Sequence, residues 1–175
     1  MSEFIMKISF PLDDDHYLRR ECNFCKKEFK ILMDEEDLNK QTELLMQNYL
    51  DENPVKKKDD DEADAHVYYC PYCGQEAGMK TFWTNAQIAF IQMHLKNYAN
   101  KIINEKLIKE MEKANRRSSG LISFKGGALP YVQPIITPEE NDMIIYHLKC
   151  CDKDIKLTEA KDNVFCFYCG FKHKL

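Results

Sequence analysis

Eight cysteines stand in four close pairs along this chain of 175 residues. Three pairs have two residues between their members: Cys22/Cys25, Cys70/Cys73 and Cys166/Cys169. The fourth, Cys150/Cys151, is vicinal. A Cys-x-x-Cys turn presents two sulfurs on one side of a tight bend, and two such turns supply the four tetrahedral ligands of a structural Zn2+ site. The pairs therefore read as two ligand sets, Cys22, Cys25, Cys70 and Cys73, then Cys150, Cys151, Cys166 and Cys169. Two zinc ions per chain are expected. Gly74 and Gly170 directly follow their pairs; a residue free to bend there lets backbone N–H groups turn toward the sulfurs. Lys26-Lys27 fits that role less well. Disulfides are not expected, because the start, "MSEFIMKISFPLDDD", has no basic region followed by a long apolar run. A thioredoxin-like dithiol lacks its βαβ surroundings.

The chain repeats itself around these pairs. "LRRECNFCKKEFKIL", 18–32, aligns with "YHLKCCDKDIKLT", 146–158, when two residues are deleted between the cysteines. Cys22 then matches Cys150 and Cys25 matches Cys151. Lys27–Ile31 falls on Lys153–Leu157. "VYYCPYCG", 67–74, aligns with "VFCFYCG", 164–170, after one deletion. On this reading the vicinal pair is a shortened copy of the first turn. Side chains of adjacent residues in an extended chain point to opposite faces. Both sulfurs reach one metal only if the backbone turns sharply there. Either Cys150 and Cys151 both ligate, or His147 does so with one of them, or the second set holds no metal.

Both cysteine units resemble zinc ribbons, knuckles of the form CxxC…CxxCG on short hairpins. The first, "FPLDDDHYLRRECNFCKKEFK", is also similar to an uncharacterised group of bacterial zinc-ribbon proteins that open with Pro-Leu-Asp, Leu-Arg-Arg-Glu-Cys and Glu-Phe-Lys. That similarity covers roughly residues 10–31 and, less specifically, the two "YCG" segments. It implies metal binding and a ribbon fold, and brings no activity with it.

The elements that must position the cysteines follow from periodicity. Residues 16–33 alternate around the first pair and predict two short strands joined by a turn. Leu38, Thr42, Leu45 and Tyr49 recur at helical spacing and predict a helix over about 34–50, ended by Asn53-Pro54. "KKKDDDEAD", 56–64, is a charge block, read as a solvated loop. From Thr84 to about Arg117 the pattern is again helical, with Ile88, Ile91, Leu95, Tyr98 and Ile102 on one face and a break expected near Asn100 or Asn104. Residues 118–141 hold glycines and prolines and form an irregular connector; "KGGA" at 125–128 reads as a turn. Strand-like alternation returns over 142–171. The expected fold is α+β: two small zinc ribbons of short antiparallel strands joined by a long α-helix. The expected division is 1–83, an N-terminal ribbon with inserted helix and charged loop; 84–120, the helical segment; and 121–175, connector and C-terminal ribbon.

Several functions are excluded or set aside. No stretch approaches the roughly 20 apolar residues of a membrane span, so a soluble, cytoplasmic protein with no membrane partner is expected. There is no Walker loop, dinucleotide fingerprint or His-Glu-x-x-His motif. "CPYC" at 70–73 lacks the upstream His-x-Glu of a zinc deaminase; the nearest histidine, His66, stands four residues before Cys70. Four cysteines at one site also leave no open position for catalysis. No enzyme activity is expected. Tyr68, Tyr69, Tyr72, Phe82 and Trp83 read as core, or alternatively as a stacking surface. Charge is uneven: acids outnumber bases over 1–83, whereas bases outnumber acids over 84–120. The acidic first half favours a protein partner. Lys96, Lys101, Lys106, Lys109, Lys113, Arg116 and Arg117 favour phosphate, and make nucleic acid, bound by the basic end of helix 84–117, the alternative partner. At 100° per residue, most of these cations share a side with the apolar stripe, so the C-terminal end of the helix should project beyond the core.

Overall fold

The computed structural model of the protein describes residues 8–33, 67–117, 127–159 and 162–174. The helix expected over 34–50 and the charge block at 56–64 lie outside them. The fold is α+β: short antiparallel strand pairs, with one helix among the described residues between two strand-rich regions, each carrying a four-cysteine cluster. The strands are β1 (Tyr17–Glu21), β2 (Glu28–Leu32), β3 (Val67–Tyr69), β4 (Glu76–Gly78), β5 (Ile144–Leu148), β6 (Lys153–Leu157), β7 (Asn163–Phe165) and β8 (Lys172–Lys174). A 3-10 turn, Met79–Phe82, leads into helix α1, Asn85–Arg117.

The hairpins do not stay separate. β1-β2 and β5-β6 join edge to edge in one four-stranded sheet of order β1-β2-β6-β5. β2 and β6 run antiparallel with Phe29 opposite Leu157, Lys30 opposite Lys156 and Ile31 opposite Ile155. Alternation along the strands sends Phe29, Ile31, Ile155 and Leu157 into the core, with Phe82 and Phe167. The Phe29, Phe82 and Phe167 rings meet at centroid distances of 5.5 to 5.8 Å. The aromatic cluster is thus core: Phe82 and Trp83 are buried, and Tyr68 and Tyr72 pack partly buried against them. Residues 8–88 and 136–174, so far as described, belong to one compact unit, and 89–135 to a second. Both cysteine-bearing regions contribute strands to one sheet.

The pairing reveals a local two-fold relation. Lys30 and Lys156, equivalent in the sequence repeat, sit directly opposite each other, and Phe29 faces the equivalent of Ile31. The two halves reciprocate elsewhere. Tyr69 N–H donates to Phe167 O and Phe165 N–H donates to Pro71 O, both at 2.9 Å. The Phe165 ring lies 2.9 Å from where a Cβ on Gly74 would stand, and the Tyr69 ring lies 2.9 Å from the same point at Gly170.

Register also corrects the repeat alignment. Glu21 pairs with Glu28, and His147 with Asp154. The two hairpins are therefore the same length and superpose without a gap. Lys26 and Asp152, with φ of 59° and 52°, occupy the same left-handed position. Leu148, and not Cys150, is the equivalent of Cys22; Cys150 stands where Phe24 does. No residues are deleted between β7 and its knuckle either, because Phe165 matches Tyr69 and Val164 matches Tyr68. Matching Cys22 to Cys150 forced the first gap and matching Val67 to Val164 the second, and the backbone contains neither.

The sheet's other face is polar and covered. Lys30 and Lys156 are buried there with Asp13. Asp13 Oδ2 accepts from Lys30 Nζ at 3.1 Å and from Lys156 Nζ at 2.8 Å. Lys156 also reaches Asp15 at 2.6 Å, and Lys30 reaches Asp142 at 3.1 Å. Arg19 bonds Glu28, Glu139 and Asp142. These ion pairs fasten residues 13–15 and 139–142 across the centre of the sheet. Burial alone would raise the Asp13 carboxyl; hydrogen bonds from Lys156, the Tyr17 N–H and Lys30 outweigh it and hold the group below its ordinary value.

Helix α1 opens on a reciprocal capping box. Gln87 N–H donates to Thr84 Oγ1 at 3.2 Å, and Thr84 N–H donates to Gln87 Oε1 at 3.0 Å. Gln87 Nε2 also donates to Arg19 O of β1. The helix does not break at Asn100 or Asn104. Within the second unit, Asn97, Asn100 and Asn104 instead bond the backbone of the extended segment at Val132, Pro130 and Leu129. Asn97 and Asn104 also accept from Val132 N–H and Leu129 N–H. Ile91 and Leu95 are buried, whereas Ile103, Leu107 and Ile108 are exposed, so burial fades toward the C-terminal end of the helix.

Candidate metal centres

Each cluster is made by one knuckle from the shared sheet and one from a small hairpin. Cys22 and Cys25 lie between β1 and β2, and Cys70 and Cys73 between β3 and β4. The backbone closes each turn: Lys26 N–H donates to Cys22 O and Gly74 N–H to Cys70 O. Gly74 and Gly170 hold φ of 71° and 73°, where a residue without Cβ is unstrained. In the second cluster Cys166 and Cys169 repeat the glycine knuckle, with Gly170 N–H on Cys166 O. The vicinal pair uses a different closure, Cys151 N–H to Leu148 O at 3.1 Å. The backbone does turn sharply there, so both sulfurs face the same cluster.

The sulfurs of Cys22, Cys25, Cys70 and Cys73 lie within 4.8 Å of one another, and so do those of Cys150, Cys151, Cys166 and Cys169. Closest distances are 3.8 Å for Cys22–Cys73 and 3.6 Å for Cys25–Cys70. They are 3.7 Å for Cys151–Cys166 and 3.5 Å for Cys150–Cys169. A disulfide needs about 2.05 Å, and all eight cysteines are free. A tetrahedron with Zn–S of about 2.3 Å has edges of about 3.8 Å. Both clusters therefore have the size of a four-thiolate zinc site. His147 belongs to neither; its Nδ1 lies 2.8 Å from Asp154 Oδ1.

The electrostatics of the clusters suit a cation. Burial, and then the neighbouring Cys22 sulfur, push the Cys70 thiol far up. Burial also raises Cys25, and burial with Cys166 and Cys169 raises Cys150. Cys151 is pushed up to about 11, first by Cys169 and then by burial. Burial works against the Cys22 thiolate, yet the backbone N–H groups of Cys25 and Phe24 stabilise it and bring its value down. The Phe171 N–H does the same for Cys169. In each cluster one thiol is thus held below its ordinary value while others are held above theirs. A divalent cation is the partner that lets all four ionise.

The two centres differ in exposure. Cys22 and Cys70 are buried in the first; only Cys166 is buried in the second, where Cys150 and Cys169 are exposed. The gapless superposition explains this. Leu148 fills the buried place of Cys22, and the ligand has moved two residues outward to the position of Phe24. Sequence reasoning missed His173, whose Nε2 lies 3.1 Å from Cys150 Sγ; a lone histidine in "FKHKL" gives no spacing signal. It also missed Asp13, Lys30 and Lys156, although a lysine at the same repeat position in both copies was visible. No family model matches the chain, and no curated protein or solved structure matches it either.

Proposed function

We propose that the chain is a non-catalytic zinc protein in which two four-thiolate centres hold a binding scaffold together for a protein partner. The observation that carries the zinc reading is the pair of clusters with zinc-sized edges. Four protein ligands at each centre fill a tetrahedron and leave no position for substrate, which supports a structural role. Exposed apolar side chains on the cysteine-bearing unit support a protein partner: Phe24 and Phe171 beside the knuckles, and Ile144 and Ile145 on edge strand β5. Against the phosphate alternative, Lys113 is paired with Glu110 at 2.6 Å.

Metal analysis of the purified protein is expected to give two zinc ions per chain, and chelator is expected to lower the Tm while releasing them. A metal-free protein that melts at the same temperature would refute the structural role. Binding of DNA or RNA that falls steeply with salt, and is lost when Lys106 and Lys109 become Glu, would replace the protein-partner reading with the nucleic-acid one.

A further inference from the structure

We infer that His173 is a reserve ligand of the second metal centre, placed to take the coordination position of Cys150 when that thiolate leaves. This rests on the reading that the second cluster holds zinc. Three observations meet at this point. The strand register puts Cys150 at the place of Phe24 and Leu148 at the place of Cys22. The same register on the small hairpins puts His173 at the place of Ala77. His173 Nε2 lies 3.1 Å from Cys150 Sγ. Two positions without ligand chemistry in the first half, Phe24 and Ala77, are thus a thiol and an imidazole in contact in the second.

The geometry gives these two residues different tasks. The core position that anchors Cys22 is filled by Leu148, which is buried. Cys150 and Cys169 are the exposed sulfurs of this cluster, and Cys150 is the one in contact with His173. When Cys150 leaves as the thiol it carries a proton away, and a neutral His173 that bears its ring proton on Nδ1 offers the Nε2 lone pair in its place. Zinc accepts three thiolates and one imidazole as readily as four thiolates. The imidazole stands 3.1 Å from the sulfur whose place it would take, so a local movement of the β8 side chain carries it to the position that Cys150 vacates. At the equivalent position beside the first centre, Ala77 offers no donor.

The test uses the full chain, stripped of metal and titrated with Co2+. The wild type is expected to take two ions, and Cys22→Ser one. Cys150→Ser is expected to take two, with a thiolate-to-cobalt absorption weakened by the loss of a single sulfur. The double variant Cys150→Ser/His173→Ala is expected to take one. Uptake of a single ion by Cys150→Ser, with two in the wild type, overturns the inference and leaves the two-metal reading intact. Uptake of a single ion by the wild type overturns both. A second measurement keeps all eight cysteines. His173→Ala, loaded with zinc, is expected to release one of its two ions to a chelator several-fold faster than the wild type; identical release in both phases overturns the inference.

Discussion

Cys22 and Cys150 hold equivalent roles in two clusters but unequal places in the fold. Cys22 is buried under the sheet, so Cys22→Ser removes a ligand and leaves a hydroxyl in an apolar pocket. Its metal content should fall from two ions to one, and the Tm should drop in the same sample. Retention of both ions would show that the first cluster is not a four-ligand site. Asp13 is the second residue on which much depends. It is the carboxylate shared by two buried lysines. Asp13→Asn keeps the shape and removes the charge; Asp15 and Asp142 remain as partial partners. Removing one partner from a buried ion pair costs about 3–5 kcal/mol, and the low end is expected here. Denaturant unfolding of the zinc-loaded variant measures it. A loss below about 1 kcal/mol would mean that the lysines are solvated in the folded protein.

Among the elements, the knuckles of the small hairpins are the tightest. Gly74 and Gly170 each combine a left-handed backbone with an aromatic ring from the other half at 2.9 Å from the missing Cβ. A side chain in that conformation costs roughly 1–2 kcal/mol, and the ring must also move. Gly74→Ala and Gly170→Ala are therefore each expected to destabilise the protein by more than that backbone cost alone. Their effects should fall short of additive, because Tyr69–Gly170 and Phe165–Gly74 are two contacts of one interface. Full additivity in chemical unfolding would mean that the two knuckles do not share it. Lys26 and Asp152 hold the same backbone conformation with side chains present, and no glycine is needed there. The helix shows the converse. Asn100 and Asn104 read in sequence as weak points, yet their side chains bond the extended segment from Leu129 to Val132, and the helix runs through them.

At the scale of the whole molecule, metal binding and protonation are linked. Burial and the neighbouring sulfurs hold the thiols of Cys25, Cys70, Cys150 and Cys151 above their ordinary values, which favours their protonated forms. Zinc must displace those protons. Apparent zinc affinity should therefore rise with pH across about pH 6 to 8, with protons released on binding. Competition against a chromophoric chelator, in buffers of different ionisation enthalpy, reads both; a pH-independent affinity would contradict the protonated thiols. That the cysteines would gather in two sets of four was legible in the sequence because cysteine spacing is local chemistry: a two-residue turn sets two sulfurs side by side whatever surrounds it. The α+β class and the helix from the mid-80s to Arg117 were legible for the same reason, since period and caps act over a few residues. The sequence repeat was visible, but was read with gaps that the fold does not have, because alignment rewards like residues on like residues whereas a sheet rewards strand register. Only the tertiary structure decided that β2 pairs with β6, that Leu148 replaces Cys22 in the core, and that His173 meets Cys150. Each joins residues far apart in the chain or in different hairpins, where no local spacing rule connects them and only packing, hydrogen-bond register and charge neutralisation choose the partner.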